Sequence, residues 1–94
     1  MVIFSNRAKF QLKQIHDYIK RDSIFYAKKI VNEIISECKK LDKFPHIGRI
    51  IPELDNQNIR EIFLYSYRLI YEFSKPETIH VLAIIHCRKN FTEI

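Results

Sequence analysis

FPHIGRIIPE, residues 44–53, separates two halves of the chain that obey different hydrophobic periods. It holds the only glycine, Gly48, and two of the three prolines, Pro45 and Pro52. On its N-terminal side, Ala8, Leu12, Ile15 and Ile19 recur at the spacing of one helical face. Ala27, Ile30, Val31, Ile34, Ile35, Cys38 and Leu41 continue that period in a second helix. Ser5 or Asn6 caps the first helix and Ser23 the second. On its C-terminal side, IREIFLYS (59–66), YRLIYEF (67–73) and TIHVLAIIHCR (78–88) are rich in β-branched and aromatic residues, the composition of strands.

Within the stretch itself, Phe44 and Pro45 end the second helix, because a residue before proline is pushed out of the helical region. Gly48 is expected to take a positive φ, and Pro52 to keep the connector out of the sheet. With VIF (2–4) as an opening strand and KPE (75–77) as a turn, the order is β-α-α-β-β-β. The short link between the helices implies an antiparallel hairpin. The fold class is α+β, with an antiparallel sheet packed against an N-terminal helical hairpin. Residues 1–94 form a single domain.

A formal net charge of +5 favours a polyanionic partner, such as nucleic acid, an acidic protein or a membrane surface. Apolar residues make up 47% of the chain, enough for a core and too many for disorder. Cys38 and Cys87 lack metal-ligand spacing and read as buried free thiols of a reducing compartment. No P-loop or cluster of metal ligands appears, so neither cofactor nor metal is expected. MVIFSNRAKF is too short and too soon charged for a signal peptide, which points to the cytoplasm with no membrane partner.

Strand alternation sorts the residues onto faces. With hairpins centred near Ser66 and Pro76, Leu64 lies opposite Arg68, and Arg68 opposite Ile84. Ile59, Phe63, Tyr65, Tyr67, Leu69, Tyr71, Phe73, Ile79, Val81, Ala83 and Ile85 then face the helices. Glu61 is the one charged residue among them, and it is expected to pair with Arg49 and tie the connector to the sheet. Arg60, Arg68, His86 and Arg88 share the other face, open or covered by a partner.

The chain resembles the RelE/ParE superfamily of type II toxin–antitoxin toxins, and within it the ParE-like branch. The resemblance rests on Phe44, Pro45, Gly48, Arg49, Pro52 and Glu53, on the Arg60–Glu61 pair, and on YRLIY at 67–71. Ile79, Val81, Leu82, Ile84, Ile85, His86 and Arg88 complete it. It implies a bacterial toxin neutralised by a cognate antitoxin whose extended, partly helical tail wraps the toxin. Operator DNA would be reached only through that antitoxin.

The two activities among such relatives are poisoning of DNA gyrase by ParE-like toxins and cleavage of mRNA in the ribosomal A site by RelE-like toxins. A third reading is an inactive toxin kept as co-repressor with its antitoxin. Cleavage by 2′-hydroxyl attack needs a base, an acid and cations for the phosphate. Arg68, His86 and Arg88 are the candidates, with Arg68 at the position that matches a phosphate-binding arginine; Arg68 reads equally as the partner of a carboxylate of this chain or of the antitoxin. Where interferases carry a His-Tyr pair, this chain has Lys89, Asn90 and Phe91. That departure favours gyrase over RNA. Arg49, Glu53, Arg60, Arg68, Arg88 and Lys89 are the candidates for contact with target or antitoxin.

Overall fold

The computed structural model describes residues 1–74 and 77–89. Strand β1 (Val2–Phe4) leads into helices α1 (Asn6–Lys20) and α2 (Ile24–Lys39). A 3-10 turn at Lys40–Asp42 follows, then β2 (Arg49–Ile50), β3 (Ile59–Leu64), β4 (Tyr67–Ser74) and β5 (Thr78–His86). The strands form one sheet in the order β1-β5-β4-β3-β2.

The helix starts obey local chemistry. The Ser5 side chain accepts a hydrogen bond from the Ala8 N–H, and the Ser23 side chain accepts one from the Tyr26 N–H. Both are N-caps, as the sequence predicts. Helix α2 tightens into the 3-10 turn before the chain reaches Pro45. Ala8, Ile15, Ile34 and Cys38 from the two helices pack on Leu69, Val81 and Ile84 of the sheet. This is the α+β architecture expected.

Two expectations about the sheet need correction. It is mixed rather than antiparallel, because β1 runs parallel to β5. The helical hairpin supplies the long crossover that a parallel pair needs. Beyond β1, the Gln11 side chain of α1 accepts the Ile84 N–H at 2.7 Å and so caps the free edge of β5. The connector also joins the sheet, since Arg49 and Ile50 pair with Glu61 and Arg60. Pro52 follows that pairing and lies outside it.

The face assignment is half right, for two local reasons. The β3–β4 turn is the residue pair Tyr65–Ser66, so Leu64 faces Tyr67 and Phe63 faces Arg68. This one-residue change of register turns the whole of β3 over. Tyr65 adopts a φ of 55° there, as tight hairpin loops demand. In β5 the pairing jumps from Ala83 to Val81, leaving Leu82 as a bulge. The part of β5 beyond the bulge is turned over as well. Tyr67, Leu69, Tyr71, Phe73, Ile79 and Val81 face the helices as predicted. Ile59, Glu61, Phe63, Ala83 and Ile85 do not. Ile62, Leu64 and Ile84 take their place against the helices.

The second face is covered in large part by the chain itself. Ile51 packs with Ile70, Ala83 and Ile85, joined by Leu54, Ile59 and Leu82. The turn proposed at 75–77 lies partly outside the described residues.

Cys38 is buried as expected, but Cys87 is exposed, because it follows the last residue of β5 and lies outside the sheet. Burial, helped by the Glu37 charge, pushes the Cys38 thiol up to about 12. A thiol-specific reagent at neutral pH is therefore expected to titrate Cys87 quickly and Cys38 only in denaturant. Simultaneous reaction of both in native protein would contradict the packing. Because folding raises this pKa, the associated stability is complete below the unfolded value of 9.0 and is lost as the pH rises through about 12.

Candidate functional site

The centre of the connector is held by one phenol. The Tyr71 hydroxyl accepts the Gly48 N–H at 3.0 Å and donates to the Pro45 carbonyl at 2.7 Å. Burial raises the Tyr71 pKa, against the lowering effect of the Gly48 N–H and Arg60. Gly48 has no positive φ, so its expected role is corrected. A Cβ there would lie 2.6 Å from the Tyr71 hydroxyl oxygen and 2.8 Å from the Glu61 carbonyl oxygen. Glycine serves close approach of two backbones, not a left-handed turn.

Beside it, on the sheet face away from the helices, Glu61 is 1% exposed and Arg68 6%. The Arg68 Nε donates to Glu61 Oε1 at 2.7 Å, and the Arg49 Nε donates to Glu61 Oε2 at 2.6 Å. The predicted Arg49–Glu61 tie is present, with a second arginine on the same carboxylate. Arg68 also donates from Nη2 to Glu53 at 3.3 Å and from Nη1 to the Lys89 carbonyl at 2.8 Å. Burial opposes the Arg68 charge, but the hydrogen bonds and charges of Glu61 and Glu53 outweigh it and raise its pKa. The network joins β2, β3, β4, the connector and the segment after β5. Its two arginines balance its two glutamates.

The remaining candidates lie elsewhere. His86 pairs with Tyr67, their rings edge to face at 6.2 Å, whereas Arg68 pairs with Ile85. Neighbouring strand positions point to opposite faces, so His86 and Arg68 do not share one, contrary to the sequence expectation. His86 Nδ1 instead accepts the Arg88 N–H at 3.2 Å. Arg60 lies on the helix face, donates to the Gly48 carbonyl at 3.0 Å, and stands 5.7 Å from the Phe73 ring centroid. Arg88 is exposed, and Lys89 meets the network only through its carbonyl. Asn90 and Phe91 lie outside the described residues. Among the described residues no group of His, Cys, Asp and Glu is placed to hold a metal ion.

The sequence reading missed the Tyr71 clasp, and its alternative of an internal carboxylate for Arg68 is correct but did not identify Glu61. Nothing in a linear pattern marks a hydroxyl 23 residues away from its glycine. The Arg68–Glu61 pair would have followed from the correct turn length, which sets them on one face.

The family model for the ParE toxin of type II toxin–antitoxin systems, parDE, matches residues 2–91. The chain belongs to the ParE toxin family. It is thus the toxin component of such a system, and an antitoxin is its implied partner. The fold is similar to that of a solved chain from a chromosomal ParDE toxin–antitoxin system of P. aeruginosa. The two are 22% identical, with a TM-score of 0.74 over 90% of this chain and 92% of that one. No curated protein matches this ParE-family chain in sequence. No helix among the described residues is long and apolar enough to cross a membrane.

Proposed function

We propose that this ParE-family toxin acts in the cytoplasm by binding and poisoning DNA gyrase, without catalysis of its own, and is neutralised by its cognate antitoxin. The observation that carries this reading is the state of Arg68. An arginine that must grip a phosphate needs free donors and uncompensated charge. Arg68 is buried, each of its three nitrogens donates to Glu61, Glu53 or the Lys89 carbonyl, and the two carboxylates compensate its charge. The candidate base, His86, sits on the other side of the sheet. A general base must lie within hydrogen-bond reach of the proton it takes, and these two groups do not surround one reaction centre. ParE membership favours the same target.

The test is plasmid supercoiling by purified gyrase with the folded toxin added. The expected result is inhibition with accumulation of cleaved DNA, relieved by the antitoxin. His86→Ala and Arg88→Ala are expected to poison as well as the parent. Absence of any effect at large toxin excess, together with cleavage of ribosome-bound mRNA that His86→Ala abolishes, would overturn the proposal.

A further inference from the structure

The tip of the helical hairpin carries a group of side chains that neither the core nor the buried ion network uses. Tyr18 near the end of α1, and Ile24, Phe25 and Tyr26 at the start of α2, are exposed by 55% to 71%. They lie on adjoining turns at one end of the helix pair, beside the polar link at residues 21–23. Lys20, Arg21, Lys28 and Lys29 surround them, with Asp22 the only acidic residue between Tyr18 and Lys29. Phe25 and Tyr26 meet edge to face at 5.7 Å. The Arg21 guanidinium lies 5.9 Å from the Tyr18 ring centroid, and the Lys29 ammonium 5.9 Å from that of Tyr26.

Such exposure of large apolar side chains at the N-terminus of a helix is not explained by folding. Positions N1 to N3 tolerate small polar and acidic residues, which suit the helix dipole better. Three consecutive large apolar residues there contribute nothing to the described core clusters. Aromatic side chains beside arginine are the usual anchors of protein interfaces. Their high exposure makes the tip a convex knob, which fits a recess in a larger protein. The groove lined by Ile15, Ile19, Ile30, Tyr67 and Ile84 has the opposite shape and suits an extended chain.

Charge selects the partner's character. Four cations, Lys20, Arg21, Lys28 and Lys29, outweigh Asp17 and Asp22 at the tip, so a second copy of this basic chain is repelled, and an acidic surface is attracted. Cations already stand over one face of the Tyr18 ring and one face of the Tyr26 ring, which leaves less ring surface for stacked bases. We infer that the hairpin tip, with Phe25 and Tyr26 as apolar anchors and Arg21 and Lys29 as cations, is the surface that enters an acidic, apolar-floored recess on the target protein. This rests on the reading of the toxin as a gyrase poison and names the surface that makes the contact.

Phe25→Asp and Lys29→Glu test it. Both residues are exposed, and an acidic residue at N2 of α2 suits the dipole, so folding should persist. Circular dichroism and unimpaired antitoxin binding check that. In the supercoiling assay, each variant is expected to need at least about thirtyfold more toxin than the parent, the size of a hot-spot loss. Phe25→Tyr should retain the parent's potency. Folded Phe25→Asp and Lys29→Glu that poison like the parent would overturn the inference while leaving the gyrase reading intact. A parent toxin that fails to poison gyrase would overturn both. Binding of the parent to anionic phospholipid vesicles, lost in Phe25→Asp with poisoning unchanged, would overturn the inference and assign the tip to a lipid surface.

Discussion

Glu61→Ala is expected to destabilise the toxin by about 3–5 kcal/mol, the range for removing one member of a buried ion pair. The cost comes from what stays behind. Arg68 is 6% exposed and would keep its charge in a poorly solvated place with only the more distant Glu53 opposite it. A loss of that size is a large share of the roughly 5–15 kcal/mol that holds a domain folded. It corresponds to a fall in melting temperature of more than about 10 °C for a domain this small. Arg68→Ala should cost about the same 3–5 kcal/mol, because it leaves the Glu61 carboxylate buried with one partner.

Arg49→Ala is the control. Its side chain is mostly exposed while touching the same carboxylate. The loss of an exposed partner is expected to cost about 1 kcal/mol or less. Urea unfolding of the three variants measures the ranking. Equal small effects at Glu61, Arg68 and Arg49 would show that the network is solvated and contributes little to the fold.

Gly48→Ala is expected to cost about 1–3 kcal/mol by overpacking. Its origin can be separated from backbone strain, because Gly48 has no positive φ. The added methyl would lie 2.6 Å from the Tyr71 hydroxyl oxygen and 2.8 Å from the Glu61 carbonyl oxygen. Tyr71→Phe removes the hydroxyl oxygen but keeps the ring carbon Cε1, 2.8 Å from the added Cβ, and it leaves the Gly48 N–H and Pro45 carbonyl without their partner, a loss of about 1–3 kcal/mol. The double variant should therefore be less destabilised than the sum of the two single changes. Denaturant midpoints of the four proteins give the coupling. Strict additivity would show that the hydroxyl is not what excludes a side chain at position 48.

These two clusters also mark where sequence reasoning succeeded and where it stopped. Opposite charges on Arg49 and Glu61, a connector that had to be tied down, and one acidic residue among apolar neighbours pointed to their pair. A β3–β4 turn centred on Ser66 sets Arg68 and Glu61 on opposite faces, so the sequence offers Arg68 an internal carboxylate partner without identifying it. With the turn at Tyr65–Ser66, Arg68 and Glu61 fall on the same face, and the candidate phosphate ligand becomes an internal ion partner. His86 changes to the helix side of the sheet for a related reason, since the bulge at Leu82 shifts that end of β5 by one position.

The sequence by itself determined the order of the principal elements, the serine caps of both helices, the helix faces that form the core and the resemblance to ParE toxins. All of these depend on local spacing or residue type. A helical period locates its own buried stripe, and a cap needs only its neighbouring amides. The tertiary structure decided the phase of the strands, the parallel pairing of β1, the burial of Arg68 and the need for glycine at position 48. A period of two states that residues alternate without saying which set faces inward. That choice depends on one residue in a turn and one in a bulge, and on contacts between segments far apart in the chain.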